Sequence, residues 1–223
     1  MIYFLYMSQR NLVFSEGEYY HVYNRGVEKR KIFLDEGDYK RFIYLLYTAN
    51  STTSVHLSNY QGVALIKIPR GDSIVAVGAW CLMPNHFHLL LRETKENGIS
   101  EYIHKLLTGY SMYFNTRYHR KGSLFEGPFS AQHLNTDQYL KYQYAYINLN
   151  PIGIIDAGWK EKKIKDLAKA KEFILSYPYS SFQDHIDTRR DERIIITPQL
   201  FPQYFESALD FRTMLDAWIY FEN

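Results

Sequence analysis

The stretch LMPNHFHLLL, residues 82–91, decides the fold of this chain. Its apolar end and the Val75–Val77 run upstream predict two buried strands joined by a Met-Pro-Asn turn. Side chains two apart on a strand point the same way, so His86 and His88 share one face while Phe87 takes the other. Two adjacent neutral imidazoles can bind one divalent metal. Alternatively, one histidine is hydrogen-bonded in the core and the other lies at the surface, and the motif alone does not choose.

Composition narrows the class of protein. The 223 residues, of which 46% are hydrophobic, suit one domain plus an appendage. The single cysteine, Cys81, excludes an internal disulfide and a cysteine-based zinc site, and we expect a reducing cytoplasm. The net charge of +2 gives no whole-chain case for nucleic acid. Residues 1–151 hold 16 Lys+Arg against 12 Asp+Glu, however, and residues 152–223 hold 10 against 12. The histidine pair therefore lies in the basic part.

The N-terminal residues 1–6, MIYFLY, are apolar. They are too short for a signal peptide or a membrane span and have no cleavage region after them. We therefore expect no membrane association, and Met7 is a candidate alternative start.

Hydrophobic periodicity and turn residues predict the other elements. Asp35, Ser100 and Asp137 are expected to cap helices, and residues 50–72 form an insertion or a hairpin. The order of elements predicts an α+β domain with an antiparallel sheet and helices on one face. We expect an N-terminal extension (1–18), this domain (19–155) and a helical C-terminal extension (156–223). The predicted strands cover 19–23, 73–82, 86–92 and 124–134; the predicted helices cover 36–49, 100–118, 137–148, 160–176 and 197–221, with a turn at 177–182.

The helix predicted over 137–148 carries four tyrosines and leads into Asn150-Pro151. Tyr146 and Asn150 are four residues apart, so they lie on the same helix face. A phenol and an amide oxygen presented together could reach one phosphate and one metal, and an amide is a hard oxygen ligand suited to Mg²⁺ or Mn²⁺. Alternatively, Tyr146 is a core aromatic and Asn150 is held by local turn chemistry. Spacing permits the site without deciding it.

Basic residues cluster where a helix is predicted to end, from Arg117 to Lys121, and again from Lys29 to Lys31. Such clusters suit phosphate contacts, although a solvated helix end explains the first equally well. Tyr110, Tyr113 and Phe129 could stack on bases, but we expect Tyr110 in the core. The candidate DNA contacts are Arg25, Lys29, Arg30, Lys31, Arg117, Arg120, Lys121 and Lys141.

Several stretches in order resemble the single-tyrosine HUH transposases of the insertion-sequence type, and most closely the branch of REP-associated tyrosine transposases. The resemblance covers about residues 19–183. Its most specific part is Met-Pro-Asn-His-x-His at 83–88 followed by Tyr-Ile-x-x-Asn-Pro at 146–151. The other matching stretches are 20–26, 109–110, 113–115, 122–127 and 177–181.

The resemblance implies a ferredoxin-like HUH fold with His86, His88 and Asn150 as ligands of Mg²⁺ or Mn²⁺. It implies that Tyr146 is the nucleophile, cutting single-stranded DNA beside a hairpin to leave a 5′-phosphotyrosine and a free 3′-hydroxyl. The expected partner is hairpin or single-stranded DNA at the nucleoid, bound by a monomer or homodimer. Many relatives carry basic residues where this chain has Pro128 to Ser130, which predicts weaker backbone contacts.

Three alternatives stay open from the sequence. The fold could serve a relaxase or replication-initiator type of nickase, although the motif order and the Tyr-x-x-x-Asn helix argue against it. A non-catalytic hairpin-binding protein could retain the same residues as structure. A water-using metal hydrolase would need a carboxylate near the histidines, and Glu93 is predicted on the opposite face of its strand.

Overall fold

The computed structural model describes residues 12–160, 164–186 and 189–204, and beyond them residues 207, 209, 210 and 213. Within these residues the chain forms one four-stranded sheet and six α-helices. The N-terminal residues 1–11 lie outside the described residues. The strands are β1 (Tyr19–Arg25), β2 (Val75–Met83), β3 (His86–Glu93) and β4 (Ser130–His133), and the helices are α1 (Glu36–Thr48), α2 (Gly98–Arg117), α3 (Asp137–Leu149), α4 (Ile152–Ile155), α5 (Leu167–Ser176) and α6 (Phe182–Ile186).

The sheet is antiparallel throughout, with β4, β1, β3 and β2 side by side in that order. With the chain order β1-α1-β2-β3-α2-β4, this is the ferredoxin-like topology, and the expected α+β fold is confirmed. Because side chains alternate along each strand, the two faces of the sheet pack against different helices. Val22, Phe87 and Leu89 pack in one apolar cluster with α1 and α2, whereas Leu90 and Cys81 pack with α3.

The start of α2 shows how a side chain outside the helix fixes a helix end. The helix begins at Gly98, and the prediction that Ser100 caps it was wrong. The buried carboxylate of Glu93 accepts hydrogen bonds from the backbone nitrogens of Gly98 (2.9 Å) and Ile99 (2.7 Å). These are donors that a helix leaves unpaired at its N-terminus. Asp35, by contrast, caps α1 as expected, through the Asp38 nitrogen.

Two other segments differ from their predictions. Residues 50–72 contain two short 3-10 helices in place of the hairpin alternative, Leu57–Tyr60 and Leu65–Lys67. The buried Asn50 side chain bonds the backbone of Ile74 and Val75 at the start of β2, which ties the segment to the sheet without strand pairing. The strand predicted over 124–134 shortens to β4, because Gly127 has a positive φ of 125° and breaks the extended run.

The α3 helix runs one residue past its predicted end, and its N-cap is Thr136, while Asp137 is the first helical residue. In the C-terminal part, α5 is shorter than the predicted 160–176 helix, because Asp166 caps it at Lys169, and residues 161–163 lie outside the described residues. Most of the helix predicted over 197–221 also lies outside them.

The turn region 177–182 lies along the edge of β2. Tyr179 accepts from the Leu82 nitrogen (2.8 Å), and Ser181 both donates to and accepts from the Trp80 backbone. These bonds pair the outer edge of β2, which would otherwise present unpaired backbone groups.

Candidate active site

The histidine pair lies on the α3 side of the sheet, near the end of β3 that follows the turn. His86 is half-buried and His88 is buried. Their ring centroids are 4.9 Å apart and the rings are perpendicular, as the strand alternation predicts for one shared face. Phe87 points to the opposite side, where it packs against Phe42. The pair is therefore together, on the face that the tyrosine helix covers.

Each imidazole uses one nitrogen for a protein contact and leaves the other available. His88 Nδ1 lies 2.8 Å from His21 Nε2, and His86 Nδ1 lies 2.6 Å from Asn85 Oδ1. The Nε2 atom of His88 is buried and has no hydrogen-bond partner among the described residues. A buried polar atom without a partner is costly. It indicates a ligand that approaches the Nε2 side.

The electrostatics keep these imidazoles neutral. Burial, and then Lys160, lower the pKa of His21 to about 3. Burial first, followed by Arg25 and Lys160, lowers the pKa of His86 to about 3. Burial and the neighbouring histidines hold the pKa of His88 well below its usual value. Neutral imidazole is the form that binds a metal ion.

The α3 helix places Tyr146 directly against these rings. Leu140, Tyr144 and Ile147 pack against the sheet residues of β2 and β3, which fixes the face of α3 that looks toward the sheet. The Tyr146 ring lies edge-on to His88, at 5.7 Å between centroids, and to His21, at 5.9 Å. The tyrosine and the histidine pair, 58 positions apart in the sequence, thus meet at one point.

Asn150 is buried at the end of α3, on the same helix face as Tyr146. Its side-chain nitrogen donates to the backbone carbonyl of Tyr146 (3.3 Å), a contact within the helix. That bond uses the amide nitrogen and leaves the amide oxygen as the atom suited to a cation. Its assignment as third ligand stays a prediction.

The residues present fit a divalent metal. The two Nδ1 atoms are engaged by protein groups that orient the rings, which is the usual arrangement around metal-bound histidines. The Nε2 atoms of His86 and His88 are then the candidate metal-binding atoms, and the Asn150 amide oxygen is the candidate third ligand. In the part of the chain that the structure describes, no group of three His, Cys, Asp or Glu side chains could hold a metal ion. A site here therefore depends on the amide and on the substrate for its remaining ligands.

Two residues of the site were missed by the sequence-based reasoning. His21 stands on β1 beside β3, and only the strand register brings it next to His88. Lys160 follows α4, and no local pattern points to it. Its ammonium donates a hydrogen bond to the Tyr146 hydroxyl and lies 4.3 Å from the centroid of the Tyr146 ring. Trp159 stacks at 6.4 Å on the same ring.

The candidate DNA contacts fall at different places. Arg25 pairs with His86 across the sheet and so lies beside the site. Burial first, and then the positive charge of Arg30, lower the pKa of Arg120. Lys29, Lys31 and Lys121 are exposed and lie nearby in sequence.

Four of the candidates are engaged by protein groups. Arg30 pairs with Glu28 (3.6 Å), and Arg120 donates a hydrogen bond to the Asn115 side chain (3.0 Å). Arg117 is bound by Asp35 (2.7 Å) and Asp38 (3.0 Å), which neutralises its charge. Lys141 lies on α3 with its ammonium 5.8 Å from the Tyr204 ring.

The aromatic candidates are mostly structural. Tyr110 is fully buried, as expected, and its hydroxyl donates to the Ile32 carbonyl. Tyr113 is half-buried and bonded to Asp38, and Phe129 packs against the core. Glu93 lies on the face of β3 away from the histidines and caps α2, so within the described residues no carboxylate of this strand serves a hydrolase.

The chain thus presents a His-x-His strand of a ferredoxin-like sheet to a tyrosine on a facing helix. Residues 66–150 match the model of the family described as "Transposase IS200 like". That region holds the histidine pair, Tyr146 and Asn150.

The fold is similar to that of a solved REP-associated tyrosine transposase bound to a REP hairpin. The two share 14% sequence identity with a TM-score of 0.51, over 80% of this chain and 85% of the other. A search among curated proteins found no match. Within the described residues, no helix combines the length and the apolar character needed to cross a membrane.

Proposed function

We propose that this protein cuts and rejoins single-stranded DNA next to a hairpin, with Tyr146 as the nucleophile. The carrying observation is the meeting of the Tyr146 ring with His88 and His21 at the point where the buried Nε2 atom of His88 has no hydrogen-bond partner among the described residues. The match of residues 66–150 to the model of the IS200-like transposase family supports this chemistry, and the similar solved structure was bound to a REP hairpin.

In the proposed cleavage, the Tyr146 oxygen attacks the scissile phosphorus as the bond to the 3′ oxygen breaks. The products are a 5′-phosphotyrosine and a free 3′-hydroxyl. A divalent metal, Mg²⁺ or Mn²⁺, held by the Nε2 atoms of His86 and His88 and by Asn150, would polarise the phosphate and orient it for in-line attack. Because the phosphoester bond energy is kept in the adduct, another 3′-hydroxyl can attack it and join the strands without ATP.

The protein's own residues prepare this step. His21 orients the His88 ring through the 2.8 Å bond, and Asn85 orients His86. Arg25, beside His86, places positive charge where a phosphate would lie. We propose that single-stranded or hairpin DNA of the nucleoid is the partner, bound in the cytoplasm by a monomer or homodimer.

The test is formation of a covalent adduct. The protein is incubated with hairpin oligonucleotides taken from the DNA around its own gene, with Mn²⁺, and resolved on a denaturing gel. We expect an adduct that disappears in Tyr146→Phe and survives in Tyr142→Phe, the same change one helical turn away. Hairpin binding without any adduct would instead identify a non-catalytic hairpin-binding protein, and an adduct that survives Tyr146→Phe would refute the assignment of the nucleophile.

The histidines have a separate test. The double change His86→Ala and His88→Ala should abolish adduct formation and leave hairpin affinity largely intact, since the imidazoles serve the reacting phosphate. Loss of hairpin binding together with cleavage would show that the two histidines act mainly as structure. Gel-shift titration with labelled hairpin measures the affinity.

A further inference from the structure

Lys160 is the charged group bonded to the proposed nucleophile. Its ammonium donates a hydrogen bond to the Tyr146 oxygen and also lies over the ring faces of Tyr146 (4.3 Å) and Trp159 (5.6 Å). The Lys160 side chain is exposed, so its position over the Tyr146 ring is not imposed by burial in the core. Its position, fourteen residues beyond the tyrosine, is outside the region that matches the family model.

The chain between the two residues is fixed firmly enough to hold Lys160 there. The Asp156 nitrogen donates to Ile152, the last contact of α4, and the Asp156 carboxylate accepts from the backbone of Gly158 and Lys165. Trp159 is buried in this turn.

The neighbouring glycine shows how closely α4 approaches the indole. A Cβ built at Gly153 would lie 3.1 Å from the Trp159 indole nitrogen, so the two segments pack in tight contact. This packed turn therefore places Lys160, the residue after Trp159, beside Tyr146.

We propose that Lys160 is a further catalytic residue, which holds the Tyr146 oxygen and stabilises the negative charge on it during strand exchange. This inference rests on the proposed function, because it concerns the oxygen that bonds to phosphorus. A hydrogen-bond donor aimed at an atom that carries charge in the transition state is among the strongest contributions a side chain makes to catalysis.

The role is the same in both directions of the reaction. In cleavage, the bond from the Tyr146 oxygen to phosphorus forms, the bond from phosphorus to the 3′ oxygen breaks, the phenol gives its proton to water, and the 3′ oxygen takes one up. In joining, the incoming 3′-hydroxyl forms its bond to phosphorus and loses its proton to water, while the phenolate leaves. The Lys160 ammonium donates its hydrogen bond to that leaving oxygen, which then takes a proton from water.

The experiment measures single-turnover rates at saturating hairpin oligonucleotide, separately from affinity. Lys160→Met removes the charge and the donor; Lys160→Arg keeps both. Lys169→Met, an exposed lysine on α5, is the matched control. We expect Lys160→Met to slow adduct formation and rejoining by about 100-fold, with hairpin affinity and melting temperature unchanged. Lys160→Arg should recover most of both rates, and Lys169→Met should match the wild type.

Two results would overturn this role while the proposed function stands. Unchanged saturating rates in Lys160→Met, with Tyr146→Phe inactive, would show that the lysine takes no part in the chemistry. Weaker oligonucleotide binding with a normal saturating rate would show a phosphate contact instead. An adduct absent from the wild type, or surviving Tyr146→Phe, would refute the proposed function itself and this inference with it.

Discussion

Replacing Glu93 tests how a buried carboxylate fixes the start of α2. Its buried carboxylate accepts two backbone hydrogen bonds at the start of α2, from Gly98 at 2.9 Å and from Ile99 at 2.7 Å. Glu93→Ala leaves two buried donors unpaired at about 1–3 kcal/mol each, a loss of ~2–6 kcal/mol in all. Glu93→Gln keeps one acceptor but loses the charge, and bonds to a charged acceptor are about twice as strong, so we expect a loss of ~2 kcal/mol.

These losses are large against a total stability of about 5–15 kcal/mol for a domain. The assay is equilibrium unfolding in urea, with Glu96→Gln as the control. An unchanged dependence of the free energy of unfolding on urea concentration would show that the denatured state is the same in each variant. Glu96 is exposed and close to the same helix end, so its change should leave the free energy of unfolding unaltered. The cap interpretation fails if Glu93→Gln unfolds like the wild type.

The same variant also addresses the hydrolase alternative. If the carboxylate took part in the chemistry, its replacement would lower the rate of adduct formation without lowering the free energy of unfolding. If it only caps the helix, its replacement would lower the free energy of unfolding and leave the rate unchanged. We therefore expect Glu93→Gln to form the DNA adduct normally at a temperature where it is folded. A folded but inactive Glu93→Gln would place the carboxylate in the reaction.

Three further predictions concern pH, packing and metal. Burial raises the pKa of Asp184 to about 7 despite Arg190 at 3.2 Å, so the folded state holds this proton more tightly than the unfolded chain. The free energy of unfolding should fall by about 1.4 kcal/mol per pH unit from about pH 4 to 7, and urea titrations of Asp184→Asn should lack that fall. A Cβ at Gly78 would lie 2.7 Å from the Phe201 ring, so Gly78→Ala should lower the free energy of unfolding by ~1–3 kcal/mol; an unchanged melting temperature would contradict this packing. His21→Phe removes the partner of a proposed ligand and should weaken Mn²⁺ binding by about 10–100-fold in calorimetry, whereas equal affinity would exclude an orienting role.

The predictable part of the fold is the part that rests on periodicity. Alternating residues predicted β1, the apolar run at 89–91 predicted β3, and the helical spacing with Asp35 as cap predicted α1. The elements that differ are fixed by hydrogen bonds between single buried side chains and the backbone of another segment. The start of α2 is fixed by Glu93, and the 50–72 segment by the Asn50 side chain, and neither leaves a local pattern.

The site divides in the same way. The placement of His86 and His88 on one face follows from alternation, whereas the meeting of Tyr146 with them was expected only from the resemblance to the HUH transposases. His21 required the strand register, because a single imidazole on an alternating strand has no distinctive spacing. Lys160 required the turn at 156–160, whose direction is set by side-chain bonds that a sequence does not display.

The origin of these residues bears on how much of the chain the site needs. Residues 66–150 match the family model and carry His86, His88, Tyr146 and Asn150. His21 precedes that region and Lys160 follows it. His21 bonds His88 and Lys160 bonds Tyr146, so each contacts a residue of the matched region. Moreover, β1 lies between β3 and β4, so the matched region alone would lack the strand that joins its own sheet. The proposed ligands and the proposed nucleophile therefore depend on flanking segments both for their support and for the charge beside them.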